Sequence, residues 1–337
     1  MKEPDFPSRV LGCLLGGAIG DAFGYEVEFD SLARIRERFG PAGITGPVRH
    51  RGRLIVSDDT QMTLFTAEGL LHARAAGCLE DPDATLEHIR LATLDWFLTQ
   101  SRDPAQARYT GALGRSRVMQ ARRAPGNTCL SACARGATGT PARPINDSKG
   151  CGGVMRVAPI GLIREYTVEQ AFELALRAAA QTHGHPEGYL PAGALAAIVR
   201  ALVEGQALAG AVSVAVGLLR ALPTSLPRSA GTIAALLAAQ APGASVQGLG
   251  EGWVGEEALA VGLHAALVGE DFAGSLRIAA NHDGDSDSTA SICGQILGAA
   301  LGAEAIPAGW GEGLDCGAEL SEVGNGLLQF AILHRGI

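Results

Sequence analysis

Two short runs of oxygen-bearing side chains carry most of the chemistry legible in this 337-residue chain: Ser57-Asp58-Asp59-Thr60, and Asp283-Gly284-Asp285-Ser286-Asp287-Ser288-Thr289. Carboxylates packed this densely repel one another, and if buried they need a compensating positive charge. Neither run contains Lys or Arg. Hard divalent cations prefer carboxylate and hydroxyl oxygens, so a site split between two distant parts of the chain is the first expectation. All-oxygen ligands favour magnesium or manganese over metals that select His and Cys. Six potential ligands exceed what one Mg²⁺ ordinarily takes from protein, which points to two ions. Paired ions can bridge a water, lower its pKa and fix substrate oxygens.

Each run also has a simpler explanation as a helix cap. Ser, Asp and Thr are preferred at N-caps, and acidic side chains suit the positive end of the helix dipole. Both runs, however, hold more carboxylates than one cap requires.

Three further segments bear on binding. In Ser148-Lys149-Gly150-Cys151-Gly152-Gly153-Val154-Met155-Arg156 the glycines leave backbone N–H groups open to an anion, and a helix expected to start near Gly153 would turn its N-terminus toward a diphosphate. A tight turn before a helix explains the same residues. The segment is not a P-loop, because the Gly-Lys-Ser/Thr ending is missing, and no strand precedes it as a Rossmann fingerprint requires. In Thr182-His183-Gly184-His185-Pro186 the two His lack a third N or S ligand, so His183 reads as a hydrogen-bonding group for a phosphate or ribose, or as a satisfied helix-end residue. The third segment, Gly20-Asp21 through Glu28, follows an apolar helix; taken alone, Glu28 is an ordinary surface carboxylate.

The elements that must position these groups read as helices. Ala- and Leu-rich runs cover 60–77, 84–100, 168–182, 187–205, 209–221, 229–240, 254–269 and 287–302. Ala and Leu are strong helix formers, and small residues let helices approach closely. Ser8 is expected to cap a helix through Phe23, Ser31 a short one, Asp83 the helix over 84–100, and Thr167 a helix with a capping box at Gln170. The segment 101–150, rich in Arg, Gly, Pro and Thr, is expected to be partly irregular. No linker divides the chain, so a single domain over 1–337 is expected although a length prior of about 150 residues per domain suggests two.

Composition excludes some classes. A net charge of -8 is wrong for a general nucleic-acid binder. The seven cysteines are odd in number and lie mostly in apolar surroundings, as in a reduced, cytoplasmic chain, and the lone Cys129/Cys133 pair has no second pair to complete a zinc site. Val10 to Gly20 is short and interrupted by Asp21, so it reads as a buried helix rather than a signal segment, and no run is long enough to span a membrane.

The five segments, in this order, resemble the ADP-ribosylglycohydrolase family. Its pattern is a Gly-Asp-x-x-Gly-x-x-x-Glu start, met here by Gly20-Asp21 through Glu28, and a Ser/Thr-Asp-Asp-Thr cluster, met by Ser57 through Thr60. A Gly-x-Gly-x-x-Met-Arg loop follows at Gly150 through Arg156, a Thr-His pair at Thr182-His183, and a Gly-Asp-x-Asp-Ser/Thr cluster at Gly284 through Ser288. The resemblance runs from about residue 9 to about residue 302. It implies an all-α fold, a multi-layer orthogonal helical domain, with two Mg²⁺ (or Mn²⁺) ions in a central cleft. It implies Ser57, Asp58, Asp59, Asp285, Asp287 and Ser288 as metal ligands; Ser148, Gly150, Cys151, Gly152, Gly153, Met155 and His183 around ADP-ribose; and Glu28 near the scissile bond, with Asp58 and Asp59 as further catalytic carboxylates. The implied activity is hydrolysis of an ADP-ribosyl bond on a modified protein, with arginine N-glycosides first and O-linked or nucleic-acid-linked ADP-ribose, or binding without catalysis, as alternatives. A monomer is expected. Three features depart from the pattern: Ser288 stands where Thr is common, Cys151 where Asn is usual, and Asp283 is an extra carboxylate.

Overall fold

The computed structural model describes residues 3–101, 103, 107–222 and 230–333, and among these the chain folds into α-helices without a β-sheet. In chain order the helices are α1 (Phe6–Tyr25), α2 (Leu32–Phe39), α3 (Asp58–Ala75), α4 (Pro82–Thr99), α5 (Asn127–Ala134), α6 (Ala158–Gly161), α7 (Val168–Ala180) and α8 (Pro186–Val203). They continue with α9 (Leu208–Arg220), α10 (Ala230–Ala239), α11 (Val246–Leu249), α12 (Gly255–Val268), α13 (Phe272–Ala280), α14 (Ser286–Leu301) and α15 (Gly317–Leu333). The eight Ala/Leu-rich runs correspond to α3, α4, α7, α8, α9, α10, α12 and α14; position 229, expected in α10, lies outside the described residues. Among the described residues no helix is long and apolar enough to cross a membrane.

Two expected caps sit elsewhere. Helix α1 starts earlier, at Phe6, because Asp5 accepts the Ser8 N–H at 3.0 Å, while the Ser8 hydroxyl bonds the Glu304 carboxylate. Helix α4 starts at Pro82, a residue whose fixed φ suits a first turn, and is capped by Asp81, which accepts from the Asp83 and Ala84 amides. Ser31 and the Thr167–Gln170 capping box stand where expected. The described part of segment 101–150 is largely irregular apart from α5 and a 3₁₀ turn at Leu113–Arg115; residues 102 and 104–106 lie outside it. It is pinned by buried carboxylates of the helices beneath it: Asp95 takes the Thr110 and Gly111 amides at 2.7 and 2.8 Å, and Glu68 takes those of Ala112 and Leu113 at 2.7 and 2.9 Å.

Helix α8 is buried along its length from Glu187 to Val203, the placement expected of a helix apolar on all sides. The contact that sets the site is the antiparallel seam between α1 and α14. Glycines recur every four residues on one face of α1, at 12, 16, 20 and 24, and meet Gly298, Gly294, Ala290 and Ser286 of α14 in that order. A Cβ at any of the four would collide with the facing backbone. The helices therefore touch main chain to main chain, which holds the C-terminal end of α1 against the N-terminal end of α14.

Candidate active site

Local capping accounts for only part of each acidic run. Ser57 is the N-cap of α3, its hydroxyl accepting the Asp59 N–H at 3.1 Å, and Asp285 is the N-cap of α14. Asp58, Asp59, Asp287 and Ser288 are buried as well. A carboxylate outside both runs, Asp21 on α1, fixes the first run from behind. It accepts the Ser57 N–H at 2.9 Å, the Thr60 N–H at 3.0 Å and the Thr60 hydroxyl. Sequence reading gave Asp21 no role; the signal was a carboxylate embedded in an apolar, glycine-spaced helix.

The two runs, far apart in the chain, face one cleft. Asp58, Asp59, Asp285, Asp287 and Ser288 line it together with Glu28, on a wall that also includes Gly150, Cys151, Gly152, Met155 and His183. Its open volume is about 640 Å³. Glu28, Asp285 and Asp287 each offer an oxygen within 4.8 Å of the others, reach enough for one ion. Ser57, Ser148 and Gly153 do not line the cleft. Ser57 is spent on its cap, Ser148 bonds Thr128 at 3.0 Å and the Gly150 amide at 3.2 Å, and Gly153 is buried against the Gly188 carbonyl. Asp283 stands apart too: it accepts the Leu32 N–H at 2.8 Å and ties the start of α2 to the second run.

The glycine loop departs from expectation. A 3₁₀ turn at Cys151–Gly153 replaces the helix start expected near Gly153, and two of its amides are already spent, Gly150 N–H on Ser148 and Cys151 N–H on the Trp253 carbonyl at 3.2 Å. What the glycines supply is room: a side chain at Gly152 would meet the Cys129 sulfur and the His183 ring. His183 is fully buried on its protein side, with Nδ1 at 2.9 Å from the Thr182 hydroxyl, and His185 is consumed as the N-cap of α8. All seven cysteines are free thiols. Cys151 lies beside the acidic groups, and burial together with Asp285 and Asp59 pushes its thiol well above the ordinary range.

The electrostatics fit a cation. Among the described residues no Lys or Arg lines the cleft. Burial first, then Asp287, Asp285, Asp58 and Asp21, push Glu28 up to about 10. Burial and Asp287 raise Asp21 to about 7, and Asp58, Asp59 and Asp285 rise well above the carboxylate range for the same reasons. The buried Oε2 of Glu28 and Oδ2 of Asp59 have no hydrogen-bond partner. Unpaired acceptors and mutual repulsion are costly unless a positive ion joins them, and carboxylate oxygens suit Mg²⁺ or Mn²⁺.

A pH dependence follows. In EDTA the folded protein binds more protons than the unfolded chain wherever these groups are raised. Stability is therefore greatest below the ordinary Glu range and falls as pH climbs toward the Glu28 value of about 10. Thermal unfolding in EDTA across about pH 5 to 9 should show a falling Tm, and saturating Mg²⁺ should reverse the fall, with protons released on binding. A Tm independent of pH and of Mg²⁺ would remove the cation site.

Fold and site define an all-helical protein with a carboxylate-lined cleft suited to divalent cations. Residues 2–335 match the profile of the family described as ADP-ribosylglycohydrolase, and the chain belongs to that family. It is 30% identical over 347 residues to an uncharacterised protein of Archaeoglobus fulgidus, covering 98% of each chain. It is 26% identical over 326 residues to the ADP-ribosyl-(dinitrogen reductase) glycohydrolase of Rhodospirillum rubrum, covering 95% of this chain and 94% of that one. Among solved structures, an ADP-ribosylglycohydrolase-related protein complex superposes with a TM-score of 0.66 at 26% identity, covering 96% of this chain and 98% of that chain.

Proposed function

We propose that this chain hydrolyses the N-glycosidic bond between ADP-ribose and an arginine guanidinium on a modified protein. The observation that carries the reading is the convergence of Glu28, Asp58, Asp59, Asp285 and Asp287 on one cleft with no Lys or Arg in its lining among the described residues. Such a cleft suits divalent cations and, beside them, a cationic leaving group. Asp58, Asp59, Asp285 and Asp287, with the hydroxyl of Ser288, would hold one or two Mg²⁺ or Mn²⁺ ions, Ser57 being left to its cap. Bound there, the ions would polarise sugar oxygens and lower the pKa of a water.

The protein's own groups do the rest. Glu28 is 7% exposed and has a free Oε2, so it can hold a proton for the departing guanidine nitrogen. Asp59, whose Oδ2 is also free, is the second candidate to accept a proton from the attacking water. His183, held near neutral by burial that drops its pKa to about 3, can hydrogen-bond a phosphate or ribose oxygen without charge repulsion from Arg156 being added to the site. Gly150, Cys151, Gly152 and Met155 shape the wall beside it. The chain would act as one domain over residues 1–337, because its site draws on helices from both ends of the sequence; a cytoplasmic monomer is the state proposed for it.

A substrate panel tests the proposal. Purified protein is incubated with ADP-ribosylarginine, ADP-ribosylserine and ADP-ribosylated nucleic acid, with Mg²⁺, Mn²⁺ or EDTA. The expected result is release from the arginine conjugate, at least about tenfold faster than from the others and lost in EDTA. Faster release from serine or nucleic acid would reassign the linkage; ADP-ribose binding without release from any conjugate would make the chain a binding protein.

A further inference from the structure

Two large apolar side chains stand in water at the mouth of the cleft. Phe29 is 73% exposed and Trp253 is 40% exposed, and their rings stack with centroids 6.2 Å apart at an interplanar angle of 20°. Exposed apolar side chains mark binding sites when they adjoin one another and a ligand-sized groove rather than lie scattered singly. Phe29 directly follows Glu28, and Trp253 lines the cleft together with Glu28, Asp285 and Asp287.

The exposure does not come from a loose loop. The Glu251 carbonyl accepts the Asp285 N–H at 2.8 Å, the Trp253 carbonyl accepts the Cys151 N–H at 3.2 Å, and the Gly255 N–H reaches the Lys149 carbonyl at 2.8 Å. Glu257 takes the Glu251 and Gly252 amides at 3.0 and 3.2 Å. The indole is thus carried on backbone tied both to the glycine loop and to the second acidic run. It presents a fixed aromatic face beside carboxylates.

We propose that Trp253, backed by Phe29, forms the subsite for the leaving group, stacking on the planar guanidinium of an arginine side chain while Glu28 faces its edge. This rests on the arginine reading above. The charge supports it: five carboxylates line the cleft with no Lys or Arg beside them among the described residues, and Glu251, two residues before Trp253 on the same backbone segment, is a further exposed carboxylate. A guanidinium stacks on aromatic rings and pairs with carboxylates through its N–H edge, so one group satisfies both surfaces. An adenine base would use the ring but has no need of the acids.

The test uses the full-length, Mg²⁺-loaded protein and the variants Trp253→Leu and Phe29→Ser, the second lying at an exposed position where folding is not at stake. Agmatine serves as the guanidinium probe and adenosine as the base probe, each scored by tryptophan fluorescence and by inhibition; ADP-ribose binding is measured by calorimetry. The expected result is that agmatine quenches the wild type but not Trp253→Leu. KM for ADP-ribosylarginine and the agmatine inhibition constant should rise about 5- to 30-fold in both variants, with ADP-ribose affinity unchanged. Loss of adenosine or ADP-ribose binding with agmatine binding intact would overturn the assignment in favour of a base-stacking role, and unchanged behaviour in both variants would overturn it outright. Agmatine binding needs no turnover. A wild type that binds agmatine at Trp253 yet leaves ADP-ribosylarginine intact would refute the proposed reaction and keep the subsite.

Discussion

Asp285→Asn is expected to keep its helices, melt no lower than the wild type in EDTA, and lose about 10²- to 10³-fold or more in turnover. Asn retains the oxygen that caps α14 toward the Ser288 N–H, so the local structure has no reason to change. Removing one charge from a buried set of like charges relieves repulsion, which offsets what the cap loses. The proposed ion site, by contrast, loses a carboxylate that stands within 4.8 Å of Glu28 and Asp287 oxygens. Lewis-acid stabilisation is worth several kcal/mol of barrier, and about 3 to 4 kcal/mol corresponds to the stated factor. Asp58→Ala should behave alike, since Asp58 lines the same cleft. Circular dichroism, melting with and without Mg²⁺, and single-turnover rates check both variants. Wild-type turnover in either would remove those residues from the chemistry.

The second large effect is on stability and lies away from the acids. Gly16→Val places two methyl groups against the Gly294 carbonyl on α14, where even one added carbon has no room. Overpacking against backbone has no rotamer escape, so a loss of about 3 kcal/mol or more is expected. For a chain of this length the unfolding entropy is about 0.7 kcal/mol/K, which makes that a fall in Tm of roughly 4–5 °C. Gly217→Ala is the matched control. It sits inside α9 with nothing near its would-be Cβ, and should stabilise by about 0.5–1 kcal/mol through helix propensity alone. Equal melting of the two variants would show that the seam is not held at main-chain contact.

How far the sequence speaks differs between fold and site. The long helices were legible because Ala and Leu runs state their own preference locally. Helices α13 and α15 were not picked out, and the starts of α1 and α4 were displaced to Asp5 and Asp81, because several cap-forming residues compete within one turn and only the tertiary setting chooses. The acidic runs were legible because each holds more carboxylates than a cap can use. Their meeting in one cleft is a long-range fact that no local pattern encodes. Asp21 was overlooked for a related reason: its partners, Ser57 and Thr60, are three dozen residues away. The glycine loop misled through its spacing. Glycines that spare a donor for an anion and glycines that make way for an imidazole look alike until His183 is seen against Gly152.

The glycine-lined seam has a consequence for how the protein is made. Asp21, Asp58 and Asp59 leave the ribosome early, whereas α14, which both completes the cleft and buries the face of α1, is synthesised only after most of the chain. Until then the apolar stripe of α1 lies uncovered, and pairings this remote in sequence close slowly. A cation held between the two acidic runs as proposed would therefore be taken up only once α14 has docked, late in the life of the nascent chain.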